Sequence, residues 1–322
     1  MSQPISRAER GVYPISVTPF LDDGRVDLES MERLVDFFIA CGVPGVTVLG
    51  VLGESNKLSH EESLAVLQCT LRRAQGRLKV IVGVSQIGFE PLQAFVGAAM
   101  DAGASGIMVA PAGGLKTEEQ VLGWFDGLFA RIGDVPTALQ DFPQNSGVFM
   151  SAATVGELLR RHASIKILKH EESPALRKIS KLRAQEAAGQ RERVSILVGN
   201  SAIHLPQELL RGVDGANTGV AFPEMLVEVC RRFAAGDAEG GEDLYDIFLP
   251  LVRHEQPLGF GLALRKEIFR RRGLIASARL RAPGPVMDAD DHAELGRLLK
   301  RLERRLQDAG EAGLIKSHPV VD

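Results

Sequence analysis

The sequence contains little cysteine and few aromatic residues. Its 322 residues include 3 cysteines, 2 tyrosines and 1 tryptophan. Cys41, Cys69 and Cys230 lie in or at the end of apolar helical patterns, without CxxC or histidine-rich spacing. This arrangement predicts buried free thiols of a reducing compartment and argues against a disulfide framework or a zinc site. We therefore expect no metal and no cofactor.

Long apolar runs and a surplus of one charge are also missing. No apolar run approaches the roughly 18 residues that span a bilayer. Residues 1–10 are polar and mixed in charge, without the apolar core of a signal peptide. The formal net charge is −3, which leaves no basic footprint for nucleic acid. These absences predict a cytoplasmic protein with neither a membrane nor a nucleic acid as its partner.

Short β-rich runs alternate with longer helical patterns along most of the chain. The eight candidate strands are Val12–Thr18, Gly45–Leu49, Lys79–Val84, Gly106–Ala110, Thr137–Phe142, Ile165–Lys169, Ser195–Val198 and Gly215–Gly219. Eight strand–helix units in sequence predict an α/β fold of the (β/α)8 or TIM-barrel class. A doubly wound open sheet is disfavoured, because no GxGxxG follows the first strand.

The strand signals stop after Phe233. Three amphipathic helical patterns follow, at residues 239–254, 259–272 and 289–309, and each needs a surface to cover. We therefore expect residues 1–233 to form the barrel and residues 234–322 to form a C-terminal helical region. The tail from residue 316 to residue 322 is expected to be disordered.

The sixth candidate strand carries a lysine at its C-terminal end. Because strand side chains alternate, Ile165, Ile167 and Lys169 are expected to share one face. If that face is the barrel interior, Lys169 points into the mouth where barrel enzymes place their chemistry. An amine held among apolar neighbours is more readily neutral, and a neutral amine attacks carbonyl groups. The alternative is a lysine that only extends out of a strand end.

The second candidate strand runs into a turn with two glycines. In Gly50–Ser55 the glycines flank Val51 and Leu52, so that backbone N–H groups can converge on an anion. A carboxylate suits this position better than a phosphate. We expect Glu54 and Ser55 to organise the turn rather than react.

Several motifs at matching spacings resemble one known family. They are Ile15–Phe20, Asp23–Asp27, Gly50–Ser55, Asp101–Ala104, Pro111, Pro143, Gly147, Ile167–Lys169 and Gly199. Over roughly residues 11–270 the chain resembles the dihydrodipicolinate synthase / N-acetylneuraminate lyase family. The resemblance implies that Lys169 forms a Schiff base with pyruvate or another 2-oxo acid. It also implies that Val51, Leu52 and Gly53 hold the substrate carboxylate, that Asn217 lies near it, and that the protein is a homo-oligomer, a tetramer or a dimer.

The chain departs from this family at its proton-relay positions. Gln140 stands where the resemblance expects a relay tyrosine, and an amide orients a substrate or water without exchanging a proton. The second relay tyrosine falls near residues 112–113 and is missing. The synthase's paired threonines fall at Val51 and Leu52, and its aldehyde-binding arginine falls at Asn145, which we keep as a substrate-binding candidate. True dihydrodipicolinate synthase activity is therefore not expected.

Other polar residues near the strand ends receive weaker roles. Asp141 faces away from Gln140 by alternation and is either a loop-stabilising carboxylate or the missing acid–base group. His170 and Glu171 are expected at the surface or at a helix cap. Tyr13 and Tyr245 are not expected near the C-terminal end of any strand.

Three functions are compatible with these residues. The first is a Schiff-base lyase of the aldolase, dehydratase or synthase type acting on a 2-oxo acid through Lys169. The second is a binding or regulatory barrel that keeps the lysine without turnover, and the third is a structural barrel. We favour the lyase, because a lysine held in the barrel mouth is costly unless it reacts.

Overall fold

The computed structural model describes residues 3–85, 88–173 and 176–315. The strands found there are β1 (Gly11–Val12), β2 (Gly45–Val48), β3 (Lys79–Gly83), β4 (Gly106–Val109), β5 (Thr137–Asp141), β6 (Ile165–His170), β7 (Ser195–Val198) and β8 (Gly215–Ala216). The helices are α1 (Leu28–Ala40), α2 (His60–Ala74), α3 (Phe89–Asp101), α4 (Glu118–Ile132), α5 (Pro143–Ser146), α6 (Ala152–Arg161), α7 (Leu176–Ala187), α8 (Leu205–Leu209), α9 (Pro223–Ala234), α10 (Ala238–Glu255), α11 (Phe260–Arg271) and α12 (Ala289–Asp308). The expectation for residues 316–322 lies outside the described residues.

The strands form one parallel sheet in the order β1-β8-β7-β6-β5-β4-β3-β2. The two ends of this order also meet. The N–H of Ser16 donates to the carbonyl of Thr47 (2.9 Å), and the N–H of Thr47 donates to the carbonyl of Pro14 (2.8 Å). The predicted (β/α)8 barrel is therefore confirmed. The first strand, Gly11–Val12, is shorter than expected, although single backbone hydrogen bonds to neighbouring strands continue from Tyr13 to Ser16.

The barrel interior contains a small apolar cluster of its own. Its members are Ile5, Tyr13, Ile81, Met108, Ala138, Ile167 and Leu197. Gly45 leaves room for one of them, since a Cβ there would lie 2.4 Å from the ring of Tyr13. A Cβ at Gly106 would similarly lie 2.8 Å from the side chain of Ile5. A much larger apolar cluster lies between the strands and the helices.

The sixth strand contains an irregularity that the alternation rule did not foresee. Thr137 pairs with Ile165, but the next residue of β5, Ala138, pairs with Ile167. Two steps on β6 thus correspond to one step on β5, as in a β-bulge. Ile165 consequently belongs to the outer cluster and Ile167 to the inner one. The expectation that Ile165 shares a face with Lys169 is wrong.

Three further helices, α10, α11 and α12, follow α9 and pack on the barrel's outer layer. Helix α12 contributes a stripe of leucines at helical spacing, Leu295, Leu299, Leu302 and Leu306, to the outer apolar cluster. The expected C-terminal helices are therefore present, while the domain boundary after residue 233 stays a prediction. Within the described ranges, no helix combines the length and the apolar character that crossing a bilayer requires.

The three cysteines are free thiols. This confirms the prediction of unpaired cysteines. Cys69 is buried, whereas Cys41 and Cys230 are only partly buried as residues, so the expectation of full burial holds for one of the three.

Candidate active site

A cavity opens at the C-terminal mouth of the barrel. Its described lining residues are Ile15, Val51, Leu52, Gln140, Phe142, Lys169, Glu171, Asn200, Ser201, Thr218, Gly219, Gln256, Pro257, Leu258, Gly259 and Arg265. Four residues selected from the sequence therefore meet here. Lys169 comes from β6, and Gln140 is its paired residue on the adjacent strand β5. Val51 and Leu52 come from the turn after β2.

Lys169 points into this cavity with only 4% of its surface exposed. Its Nζ lies 2.8 Å from Oε1 of Glu171. The amine thus has a carboxylate partner, and the expectation of purely apolar neighbours is wrong. The expectation that Lys169 faces the barrel mouth agrees with its position in the lining.

Glu171 is a functional candidate that the sequence interpretation missed. It is buried, so the expectation of a surface or helix-cap position is wrong, and the same holds for buried His170. Oε1 of Glu171 accepts a hydrogen bond from Nε2 of Gln140 (2.6 Å), and Oε2 accepts one from the N–H of Asn200 (3.1 Å). Extending the two-residue alternation from Lys169 by one step would have found Glu171.

The turn after β2 is a 3₁₀ turn over Val51–Gly53. Its unusual backbone angles fall on the flanking residues, since Leu49 and Glu54 have φ values of 58° and 52°. The first N–H groups of a helical turn lack partners within it, which leaves those of Val51 and Leu52 for a ligand. The N–H of Gly53, however, donates to the carbonyl of Gly50 (3.0 Å). Gly53 is also not among the residues that line the cavity, so its expected role in carboxylate binding stays a prediction.

Glu54 holds this turn in place through buried partners. Nζ of Lys266 on α11 lies 2.6 Å from Oε1 of Glu54, and Nζ of Lys57 lies 2.9 Å from Oε2. The N–H of Arg281 also donates to Oε2 (3.0 Å). Burial lowers the pKa of Lys266 to about 8, although the Glu54 carboxylate opposes this shift. Glu54 thus organises the turn, as expected.

Two other expected substrate ligands lie outside the cavity lining. Nδ2 of Asn217 donates to Oγ1 of Thr47 (3.1 Å), and both side chains are fully buried. This pair satisfies Asn217 inside the protein, so its expected contact with substrate is not supported. Asn145 lines a neighbouring cavity, which also borders Gln140 and Val51. Asn145 therefore lies next to the site, and its role in substrate binding stays a prediction.

A second polar cluster lies behind the strands, between the barrel and α7. Asp141 is fully buried and contacts Nδ1 of His170 (3.1 Å) and Nζ of Lys178 (2.6 Å). Burial raises the pKa of Asp141. The hydrogen bond from His170 and the charge of Lys178 together lower the pKa by more than burial raises it, so the net shift is downward. Asp141 therefore lies on the face of β5 that packs against α7, away from the cavity, as alternation predicts.

The cavity wall opposite the turn comes from the loop after β7 and the C-terminal helices. Asn200, Ser201 and Ala202 have φ values of 49°, 57° and 55°. Arg265 on α11 lines the cavity and donates to Oγ of Ser201. Its guanidinium also pairs with Glu255, with Nε 3.1 Å from Oε2. No periodic signal in the sequence identified this wall.

Tyrosine supplies no side chain to the lining. Tyr13 belongs to the inner apolar cluster, and its hydroxyl donates a hydrogen bond to Glu9. The hydroxyl of Tyr245 reaches the loop after β7 and donates to the carbonyl of Ala202 (2.7 Å). The expectation that Tyr245 lies away from all C-terminal strand ends is therefore wrong. In the parts of the chain that the structure describes, no group of three or more His, Cys, Asp or Glu could hold a metal ion.

Comparison with known proteins identifies the family of this barrel. The sequence model described as the Dihydrodipicolinate synthetase family matches residues 8–302. The chain belongs to this family. A curated relative, L-2-keto-3-deoxyarabonate dehydratase of Azospirillum brasilense, is 30% identical over 91% of this chain and 94% of its own. A 4-hydroxy-tetrahydrodipicolinate synthase of Methanosphaerula palustris is 30% identical over 90% of this chain and 98% of its own.

Solved structures of the family superpose on the whole barrel. A dihydrodipicolinate synthase from Rhodopseudomonas palustris has a TM-score of 0.91 and 41% identity, and it covers 93% of this chain and 100% of that chain. A prophage protein of the family from E. coli K12, in complex with pyruvate, has a TM-score of 0.84 and 25% identity over 92% and 99% of the two chains. Family membership thus supports a lyase-type enzyme of the synthase or dehydratase kind.

Proposed function

We propose that this chain is a class I lyase that forms a Schiff base between Lys169 and the keto carbon of a 2-oxo acid. The observation that carries the proposal is that Lys169 and the turn residues Val51 and Leu52 line one cavity. A 2-oxo acid has a ketone beside a carboxylate, so it matches an amine that faces an anion-binding turn.

The proposed chemistry follows from the imine. The neutral amine of Lys169 adds to C2, and loss of water gives an iminium ion that withdraws electrons from C3. Removal of a C3 proton forms an enamine. The enamine then expels a hydroxyl group from C4, which takes up a proton and leaves as water, or its C3 attacks the carbonyl carbon of an aldehyde and forms a new carbon–carbon bond. Hydrolysis of the last iminium returns the 2-oxo product and the free lysine.

The substrate class follows from what replaces the relay tyrosines. Gln140 orients groups but transfers no proton, and the turn presents apolar Val51 and Leu52 side chains. Asn145 stands where the synthase's aldehyde-binding arginine is expected. These differences favour a second substrate or leaving group unlike that of the synthase. Because one relative is named as a dehydratase of a deoxy-2-oxo acid, we propose dehydration of a hydroxylated 2-oxo acid as the first activity to measure.

The test is reductive trapping of the imine. Purified protein is incubated with pyruvate, or with each member of a panel of 3-deoxy-2-oxo acids, and reduced with borohydride. Peptide mass spectrometry then locates the adduct, which we expect on Lys169. Lys169→Ala should abolish it. Lys166→Ala is the matched control, because Lys166 lies on the same strand but donates to the carbonyl of Ala163 at the exposed surface.

The outcomes separate the three functions considered from the sequence. An adduct on Lys169 together with a dehydrated or cleaved product supports the lyase. An adduct without any product would instead indicate the binding barrel. No adduct with any 2-oxo acid, or adducts unaffected by Lys169→Ala, would refute the Schiff-base proposal.

Two further expectations accompany this proposal. We expect a homo-oligomer, a tetramer or a dimer, which sedimentation equilibrium would measure. We also expect the protein to act in the cytoplasm on a small-molecule substrate, without a cofactor. Fractionation of cells that express the full chain would test its location.

A further inference from the structure

We infer that Glu171 is the acid–base residue of the reaction at Lys169, in place of the missing relay tyrosines. This inference rests on the proposed Schiff-base function. Glu171 takes a proton from the Lys169 ammonium group, so that the free amine attacks C2, and returns it to the departing water. The carboxylate then removes the C3 proton of the iminium ion. The resulting acid donates that proton to the leaving hydroxyl group, which departs as water.

The contacts of Glu171 place its carboxylate beside the reacting nitrogen. Oε1 lies 2.8 Å from Nζ of Lys169 and accepts a hydrogen bond from Gln140. Oε2 is held by the N–H of Asn200. A general base must lie within hydrogen-bond reach of the proton that it moves, and Oε1 satisfies this condition for Nζ. Gln140 orients the carboxylate, which gives the amide a role that requires no proton transfer.

Gly199 makes room for Glu171. A Cβ at Gly199 would lie 2.2 Å from Cγ and 2.3 Å from Oε2 of Glu171. Gly199 has φ −107° and ψ −138°, and this ψ lies outside the regions that other residues favour, so the backbone conformation also suits glycine. The space where a Cβ would lie is occupied by the Glu171 side chain. A methyl group there would push the carboxylate away from Lys169.

No other carboxylate competes for this role among the described lining residues. Lys169, Glu171 and Arg265 are the titratable side chains among them, and a guanidinium does not release its proton. Asp141 faces α7, where His170 and Lys178 bind it. By elimination, Glu171 is the described side chain that can exchange protons at the mouth of the barrel.

The experiment measures proton transfer at C3 separately from imine formation. In D2O, an enzyme that forms the enamine exchanges the methyl protons of pyruvate, which NMR follows over time. Borohydride trapping on Lys169 is measured in parallel on the same samples. The variants are Glu171→Gln, which keeps the size of the side chain, and Gly199→Ala. Their controls are Glu172→Gln, a neighbouring carboxylate that contacts Lys178, and Gly97→Ala, whose added Cβ would have nothing within 4 Å.

We expect Glu171→Gln to reduce the exchange rate by roughly 10²–10⁴-fold, the usual contribution of general acid–base catalysis. Trapping on Lys169 should persist at high pyruvate and long incubation. Gly199→Ala should show a similar loss, because it displaces the Glu171 carboxylate. Both controls should keep an exchange rate within about twofold of the wild type, because neither residue supplies general acid–base catalysis. Thermal unfolding verifies that each variant is folded, and Glu171→Ala with added formate should recover part of the exchange if Glu171→Gln misfolds.

The failures of the two proposals can be told apart. If the wild type traps no 2-oxo acid at all, the Schiff-base function fails, and the role of Glu171 fails with it. If the wild type forms the adduct but does not exchange C3 protons, only the Glu171 inference is overturned. The same conclusion follows if Glu171→Gln exchanges at the wild-type rate, because Glu171 would then only hold Lys169 in position.

Discussion

Glu54 and Lys266 form a buried ion pair that links the turn after β2 to helix α11. Nζ of Lys266 lies 2.6 Å from Oε1 of Glu54, and the two residues are 0% and 1% exposed. Lys266 also donates to the carbonyl of Arg279 (2.9 Å) and lies 4.4 Å from the ring centre of Phe20. The C-terminal helices therefore support the turn that is proposed to bind the substrate carboxylate.

Removing Lys266 should destabilise the protein and loosen this turn. Lys266→Met leaves the Glu54 carboxylate buried without its closest cation, and breaking a buried pair costs about 3–5 kcal/mol. Urea unfolding measures the loss. Lys57→Met is the control, because Lys57 contacts the same carboxylate with 18% of its side chain exposed. Equal losses in the two variants would contradict a special role for the α11 lysine.

The same lysine should affect how stability depends on pH. Burial lowers the pKa of Lys266 to about 8, whereas an unfolded lysine has a pKa of about 10.4. Between these values the unfolded state binds more protons, so the free energy of unfolding rises with pH. From pH 7.5 to 9.5 the wild type should gain about 2 kcal/mol relative to Lys266→Met. A constant difference across this range would show that Lys266 keeps an ordinary pKa.

Asp141 should matter for stability and not for imine formation. Asp141→Asn weakens its bonds to His170 and Lys178, and we expect a loss of about 1–3 kcal/mol in unfolding free energy. The pKa of Asp141 is lowered in the folded state, so its contribution is present near neutral pH and is lost as the pH falls. The difference between wild type and variant should therefore shrink below about pH 4. Trapping on Lys169 should remain, and its loss would indicate a role in the reaction.

The three thiols should be nearly unreactive in the folded protein. Burial raises the pKa of Cys230 to about 12, and it also raises the pKa values of Cys41 and Cys69. At pH 8 a thiol with that pKa is a thiolate for about one part in 10⁴, and the thiolate is the reactive form. An aromatic disulfide reagent should label all three cysteines in guanidinium but react slowly without it. Labelling of any cysteine in the folded protein at the rate of free cysteine would contradict this expectation.

The sequence was sufficient to predict the barrel and the position of its lysine. Strand alternation and the strand–helix period are local properties, so they located Lys169 and Gln140 on neighbouring strands. The same rule failed at Ile165, because a bulge inserts one residue into β6 and leaves no mark in the sequence. Glu171 was missed because the alternation was stopped at the predicted strand end, one step too early.

The partners from the C-terminal helices could not be predicted from local patterns. Arg265 and Lys266 are adjacent on α11, yet Arg265 lines the cavity and Lys266 binds Glu54. An amphipathic pattern assigns charged residues to solvent, whereas these two are buried and paired, Arg265 with Glu255 on the preceding helix and Lys266 with Glu54 far away in the chain. The hydrogen bond of Asn217 could not be predicted for a similar reason, since its partner Thr47 is 170 positions away in the chain.

A glycine on β3 should control the position of the turn that is proposed to bind the carboxylate. A Cβ at Gly83 on β3 would lie 2.2 Å from the carbonyl oxygen of Leu49 and 3.0 Å from the nitrogen of Gly50. These are backbone atoms, so Gly83→Ala must displace the chain just before Val51. Overpacking of this kind costs about 1–3 kcal/mol, and the displaced turn should weaken binding of pyruvate about tenfold or more. Pyruvate titration monitored by borohydride trapping measures the change, with Gly97→Ala as the control. Unchanged binding in a destabilised Gly83→Ala protein would mean that the turn does not contact the substrate.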